Sequence, residues 1–148
     1  MSHRSFILRA TAFALAGCST GGTVSDVGTP PSEPTHHAVV QGAVVDAEGR
    51  ALGDVGVGPR FAQSSRPERQ VSVTGGAYTN PDGTYHFTVE ASTPKRADGL
   101  ADFYVHATLY GPPGGLVRQD SVFVTAQFVP IGQMPNVVRV SQLRLPAP

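Results

Sequence analysis

The sequence predicts an all-β domain, a seven-stranded antiparallel Greek-key sandwich, and three observations predict it. Beyond residue 37 apolar and polar side chains alternate with a period of two. Clusters of Gly, Pro, Asn and Asp interrupt that alternation at intervals suited to short strands, and no window shows a helical period. The chain has one cysteine, so no intramolecular disulfide is available and such a domain must rest on its apolar core.

The chain before residue 38 reads differently. Arg4 and Arg9 stand in an acid-free start, residues 6–15 are mostly apolar, and Leu15-Ala16-Gly17-Cys18 closes the run, the charged, apolar, small-residue order of an export signal. About ten apolar residues cannot cross the hydrocarbon, which takes about 20. The quartet resembles the bacterial lipobox. That resemblance implies a signal peptide over residues 1–17, cleaved before Cys18, with diacylglycerol and palmitate-type acyl chains on Cys18. Two or more such chains anchor a protein stably to a membrane surface, because each buried methylene contributes about 0.8 kcal/mol. Ser19 stands where an inner-membrane lipoprotein of enteric bacteria tends to carry Asp, so the resemblance favours the outer membrane. Residues 18–37 are rich in Gly, Pro, Ser and Thr and nearly free of apolar groups, which predicts a flexible tether with a reach of roughly 25 Å. His36-His37 at its end lacks nearby partners for a metal and is read as part of the tether.

The strands follow in order. The first is expected over residues 38–45, with Val40, Gly42 and Val44 on one side and Gln41 on the other; the second over 52–58; the third over 70–79. The fourth, 84–90, is the clearest, since Tyr85, Phe87 and Val89 alternate with His86, Thr88 and Glu90. The fifth, 102–110, sets Phe103, Val105, Ala107 and Leu109 against Tyr104, His106, Thr108 and Tyr110. The sixth covers 120–128 and the seventh 136–145, with Val138, Val140 and Leu143 or Leu145 available for burial. Asp46-Ala47-Glu48-Gly49 and Asn80-Pro81-Asp82-Gly83 predict tight turns, in which Pro81 presets its φ and each glycine supplies a positive φ.

Val40-x-Gly42-x-Val44-x-Asp46-x-x-Gly49-x-x-Leu52, then Val55 and Val57, then Asn80-x-Asp82-Gly83-x-Tyr85-x-Phe87, resemble the carboxypeptidase regulatory-like domain, a transthyretin-like sandwich. The resemblance places that domain at residues 38–146. It implies a non-catalytic adhesive, stalk or accessory module of the cell envelope and carries no site residues with it.

Charge bounds the partners. The chain has 11 basic and 11 acidic residues; without Arg4 and Arg9 the remainder is 9 against 11, a net charge of −2, which argues against nucleic acid. The 131 residues left after removal of residues 1–17 suffice for one domain. If the seven strands run alternately up and down, residues 59–69, 91–101 and 129–135 gather at the end from which the tether leaves. Arg60, Arg66, Arg69, Lys95 and Arg96, against Glu68 and Asp98, then make that end basic, a candidate contact for anionic head groups or an anionic envelope polymer, with Phe61, Ile131 and Met134 as apolar contacts.

An enzymatic alternative comes from residues 80–113, which resemble intradiol ring-cleaving dioxygenases, enzymes that hold non-haem iron with two Tyr and two His. That resemblance implies His86, Tyr104, His106 and Tyr110 as ligands on one outward face, although Tyr104 replaces one histidine of the family's His-x-His pair. A Ser121, His106 and Asp102 set can be drawn, but nothing around Ser121 resembles a nucleophile elbow. The expectation is therefore a non-catalytic, cofactor-free lipoprotein, held at the membrane by its lipid and binding an envelope protein or glycan.

Overall fold

A computed structural model of the chain describes residues 33–148 other than 64, 114 and 116. Cys18, the expected signal segment and most of the expected tether lie outside the described residues. The described part is all-β, in two sheets. Its strands are β1 (His36–Val45), β2 (Gly56–Phe61), β3 (Val73–Gly75), β4 (Ala77–Tyr78), β5 (Thr84–Ala91), β6 (Leu100–Leu109), β7 (Arg118–Gln127), β8 (Val129–Pro130), β9 (Val137–Arg139) and β10 (Leu143–Arg144), with one 3-10 turn at Pro67–Arg69. The first sheet has the order β10-β1-β5-β3, with β8 and β9 also along β1; the second has the order β4-β2-β6-β7. Pairings are antiparallel except where β9 and β10 run parallel to β1.

Ten short strands stand where seven are expected, and the differences have local causes. The expected third strand breaks at Gly75-Gly76, whose φ values are 128° and 145°. There the chain leaves the first sheet, where β3 pairs with β5, and enters the second, where β4 pairs with β2. Only glycine suits this corner: a Cβ on Gly75 would collide with the Thr88 carbonyl, and one on Gly76 would lie 2.9 Å from the Val57 carbonyl oxygen. The second strand starts late because Asp54 has a left-handed φ of 59° and turns the chain from one sheet to the other. The seventh divides between Arg139 and Leu143, leaving a gap in the first sheet. β1 starts two residues before the expected boundary, because His36 and His37 pair with Ala91 and Glu90. These histidines belong to the sheet and not to the tether.

Alternation decides what is buried. Val40, Val44, Tyr85, Phe87, Val89, Phe103, Val105, Val124, Phe128, Leu143 and Leu145 meet between the sheets. Phe103 and Phe128 pack edge to face with centroids 5.7 Å apart. The two expected turns form, with Gly49 at φ 85° and Gly83 at φ 76°. Gly83 N–H bonds Asn80 O at 2.8 Å, and Asp46 Oδ1 accepts from the N–H groups of Glu48 and Arg50 at 3.0 and 2.8 Å.

Candidate functional site

Residues 59–69, 91–101 and 129–135 do converge on the start of β1. Lys95 Nζ donates to Pro67 O at 3.3 Å, Thr35 N–H to Ala91 O at 2.9 Å, and Ile131 N–H to Thr35 O at 3.0 Å. The basic side chains expected there are nonetheless largely committed to carboxylates. Asp102, fully buried, accepts from Thr125 Oγ1 at 2.7 Å and faces Arg66 Nη2 at 3.4 Å and Arg69 Nη1 at 3.9 Å. The segment before β3 brings the two arginines over this end of β6, where Gln70 bridges to Asp102. Arg96 Nε donates to Asp98 Oδ1 at 2.9 Å, and that bond is the chief reason the Asp98 carboxyl falls to about 2. Arg60 lies on β2, facing outward from the second sheet. The loop end thus sets Arg66, Arg69, Lys95 and Arg96 against Glu68, Asp98 and Asp102, an excess of one positive charge in place of the expected three.

The four iron ligands implied by the dioxygenase resemblance do not come together. β5 and β6 belong to different sheets, so His86 faces outward from the first while Tyr104 and His106 face outward from the second, with the core between them. His86 instead stands abreast of Gln41 and Arg139. It helps line a groove of about 550 Å³ that opens where the first sheet is interrupted between β9 and β10. Among the described residues no three His, Cys, Asp or Glu side chains are grouped as metal ligands would be. Ser121 is opposite His106 in register, but Asp102 is four residues along the strand and bound to Thr125 and the arginines, so no triad forms.

The outer face of the second sheet carries the distinctive chemistry. Tyr104 and Phe123, register partners on β6 and β7, touch edge to face with centroids 5.5 Å apart. Tyr78 on β4 and Tyr110 just beyond β6 are about three-quarters exposed, at 74% and 76%. Between these two runs β2, which presents glycine at 56 and 58 and then Arg60. The result is a trough of about 420 Å³ lined by Gly56, Gly58, Arg60, Tyr78, His106 and Tyr110, among others. His106 Nε2 and Thr108 Oγ1 are 2.7 Å apart, whereas His106 Nδ1 is buried with no hydrogen-bond partner among the described residues. Desolvation, reinforced by the positive charge of Arg60 and opposed by Asp120, lowers the pKa of His106. The sequence pattern placed Tyr104, His106, Thr108 and Tyr110 on one outward row, but not the glycine floor beside them, because strand neighbours across a sheet are not neighbours in sequence.

No family model matches the chain, and neither does any curated protein.

Proposed function

We propose that the chain is an exported lipoprotein, anchored by acyl chains on Cys18 at the outer membrane, whose sandwich is a carboxypeptidase regulatory-like module that binds an envelope component without turnover. The observation that carries the binding reading is the outer face of the second sheet, where Tyr78, Tyr104, Tyr110 and Phe123 are all partly or largely exposed. Aromatic side chains left in water on one face favour association, because contact there removes apolar area from solvent. The lipobox-like quartet at residues 15–18 and the polar segment after it support the anchoring reading.

Mass spectrometry of the native protein tests the anchor: the expected product begins at acylated Cys18, and Cys18→Ser moves the protein out of the membrane fraction. An unmodified thiol at position 18 overturns it. Photo-crosslinking in intact cells tests the face. A photoreactive residue in place of Tyr78 or Tyr110 is expected to capture a partner that the same residue in place of His86 does not; equal capture from both sheets, or none from either, overturns the binding reading.

A further inference from the structure

Gly56 is a glycine that the fold does not need. Its neighbours in the same region have structural reasons: a Cβ on Gly58 would press to 3.3 Å from the Gly75 carbonyl oxygen, and Gly76 meets the Val57 carbonyl at the corner between the sheets. At Gly56 the backbone is not left-handed, and a Cβ would find only ordinary contacts, 3.6 Å to Thr108 O and 3.8 Å to the Tyr78 ring. Glycine inside a strand weakens it by about 0.5–1 kcal/mol relative to alanine. Close approach of a ligand to the backbone is one reason for a glycine at such a place. The space that a side chain at 56 would occupy is the trough between Tyr78 and Tyr110.

We propose that this trough binds an acidic saccharide chain, with sugar rings laid against Tyr78 and Tyr110 over Gly56 and a carboxylate held by Arg60. The proposal rests on the reading of the domain as a binding module and names its ligand class. The trough is open along the face of the sheet, a shape that suits an extended chain laid over it. Exposed tyrosine rings offer flat apolar surfaces to the C–H faces of a sugar, while their hydroxyls and Thr108 can exchange hydrogen bonds with its hydroxyls. Arg60 forms no ion pair among the described residues, and a guanidinium fork matches a carboxylate. A polypeptide strand is a poorer fit. It would add to a sheet edge through backbone bonds, whereas at Gly56 and Val57, the floor of the trough, β2 is paired with β4 on one side and β6 on the other.

Affinity electrophoresis of the detergent-solubilised full-length protein tests this, in native gels containing polygalacturonate, alginate or hyaluronan, with dextran as the neutral control. At least one acidic polymer is expected to retard the protein and dextran is not; with no net positive charge on the chain, retardation by a polyanion is not a bulk-charge effect. Gly56→Val, which fills the trough with a strand-favouring side chain, is expected to weaken retardation about tenfold, equivalent to about 1.4 kcal/mol, without lowering the unfolding temperature. Arg60→Gln should weaken it too, whereas Tyr78→Phe, which keeps the ring, should largely retain it. Absence of retardation by all three acidic polymers overturns the proposal, as does undiminished retardation of Gly56→Val or equal retardation by dextran. The crosslinking experiment separates the two failures: protein captured from positions 78 and 110, with no retardation, sinks the saccharide and leaves a binding module.

Discussion

Tyr85 lies across Gly42. The two are register partners on β5 and β1, and the tyrosine ring fills the space of the missing side chain so closely that a Cβ on Gly42 would stand 2.5 Å from the hydroxyl oxygen. The hydroxyl is buried and has no hydrogen-bond partner among the described residues. A buried hydroxyl without a partner is destabilising, so Tyr85→Phe is expected to raise stability by about 1 kcal/mol. Gly42→Ala should lower it by about 1–3 kcal/mol through overpacking. Urea midpoints of the two variants check this, and a destabilised Tyr85→Phe would show that the hydroxyl has a partner.

Burial also pushes the Tyr85 pKa up to about 12, from an ordinary 10.0. A group whose folded pKa lies above its unfolded one holds its proton more tightly when folded. Its contribution is complete below pH 10.0 and is lost as pH rises through about 12. Ultraviolet titration of the tyrosinates should show a late step that vanishes in Tyr85→Phe, and the variant should lose stability less steeply in that interval.

Asp102 brings a negative charge inside the fold and is matched by Arg66 and Arg69 from the segment before β3. Removing the carboxylate alone leaves the arginines beside an apolar strand end, so Asp102→Leu is expected to cost about 3 kcal/mol or more. Asp102→Leu combined with Arg69→Met should cost less than the two single changes added together. Simple additivity in thermal or urea unfolding would show that Arg69 is not coupled to Asp102.

Three turn carboxylates predict acid sensitivity. Asp98 falls to about 2 from 3.8, first through its side-chain bond from Arg96 and then through the Leu100 N–H. At Asp46 desolvation raises the pKa, but bonds from Arg50 and Glu48 outweigh it and the net shift is downward; Asp82 is lowered chiefly by the Thr84 hydroxyl and N–H. A carboxyl with a depressed folded pKa binds fewer protons folded than unfolded, so its contribution exists above pH 3.8 and disappears as pH falls through about 2. Urea unfolding between those values should show falling stability, with a shallower slope in Asp98→Asn. An unchanged slope would remove Asp98 from the account.

Much of the sandwich was legible because its signals are local. The fourth, fifth and sixth expected strands match β5, β6 and β7 closely, since alternation such as Tyr85-His86-Phe87 and turn chemistry such as Asn80-Pro81-Asp82-Gly83 act over a few residues. The breaks were hidden because they depend on distant neighbours: Gly75 is required by the Thr88 carbonyl, and the split between β9 and β10 shows only along β1. At the loop end Asp102 read as an ordinary polar position of a strand. Its burial is made by residues more than thirty positions earlier, which no local pattern reports. His86 and His106 look alike in sequence, each outward on its strand, and only the assignment of strands to sheets sets them on opposite faces.

The parallel run of β9 and β10 along β1 has a mechanical meaning. Tension between the chain before His36 and the chain after Arg144 pulls along these strands and not across them. Their backbone bonds, such as Val39 N–H to Asn136 O at 2.8 Å and Leu145 N–H to Val45 O at 2.9 Å, then bear the load together in shear instead of opening one at a time. Force spectroscopy with handles on the two sides should find a high rupture force, and gradual unzipping at low force would refute it. A domain wired in this way keeps its fold when its two ends are drawn apart.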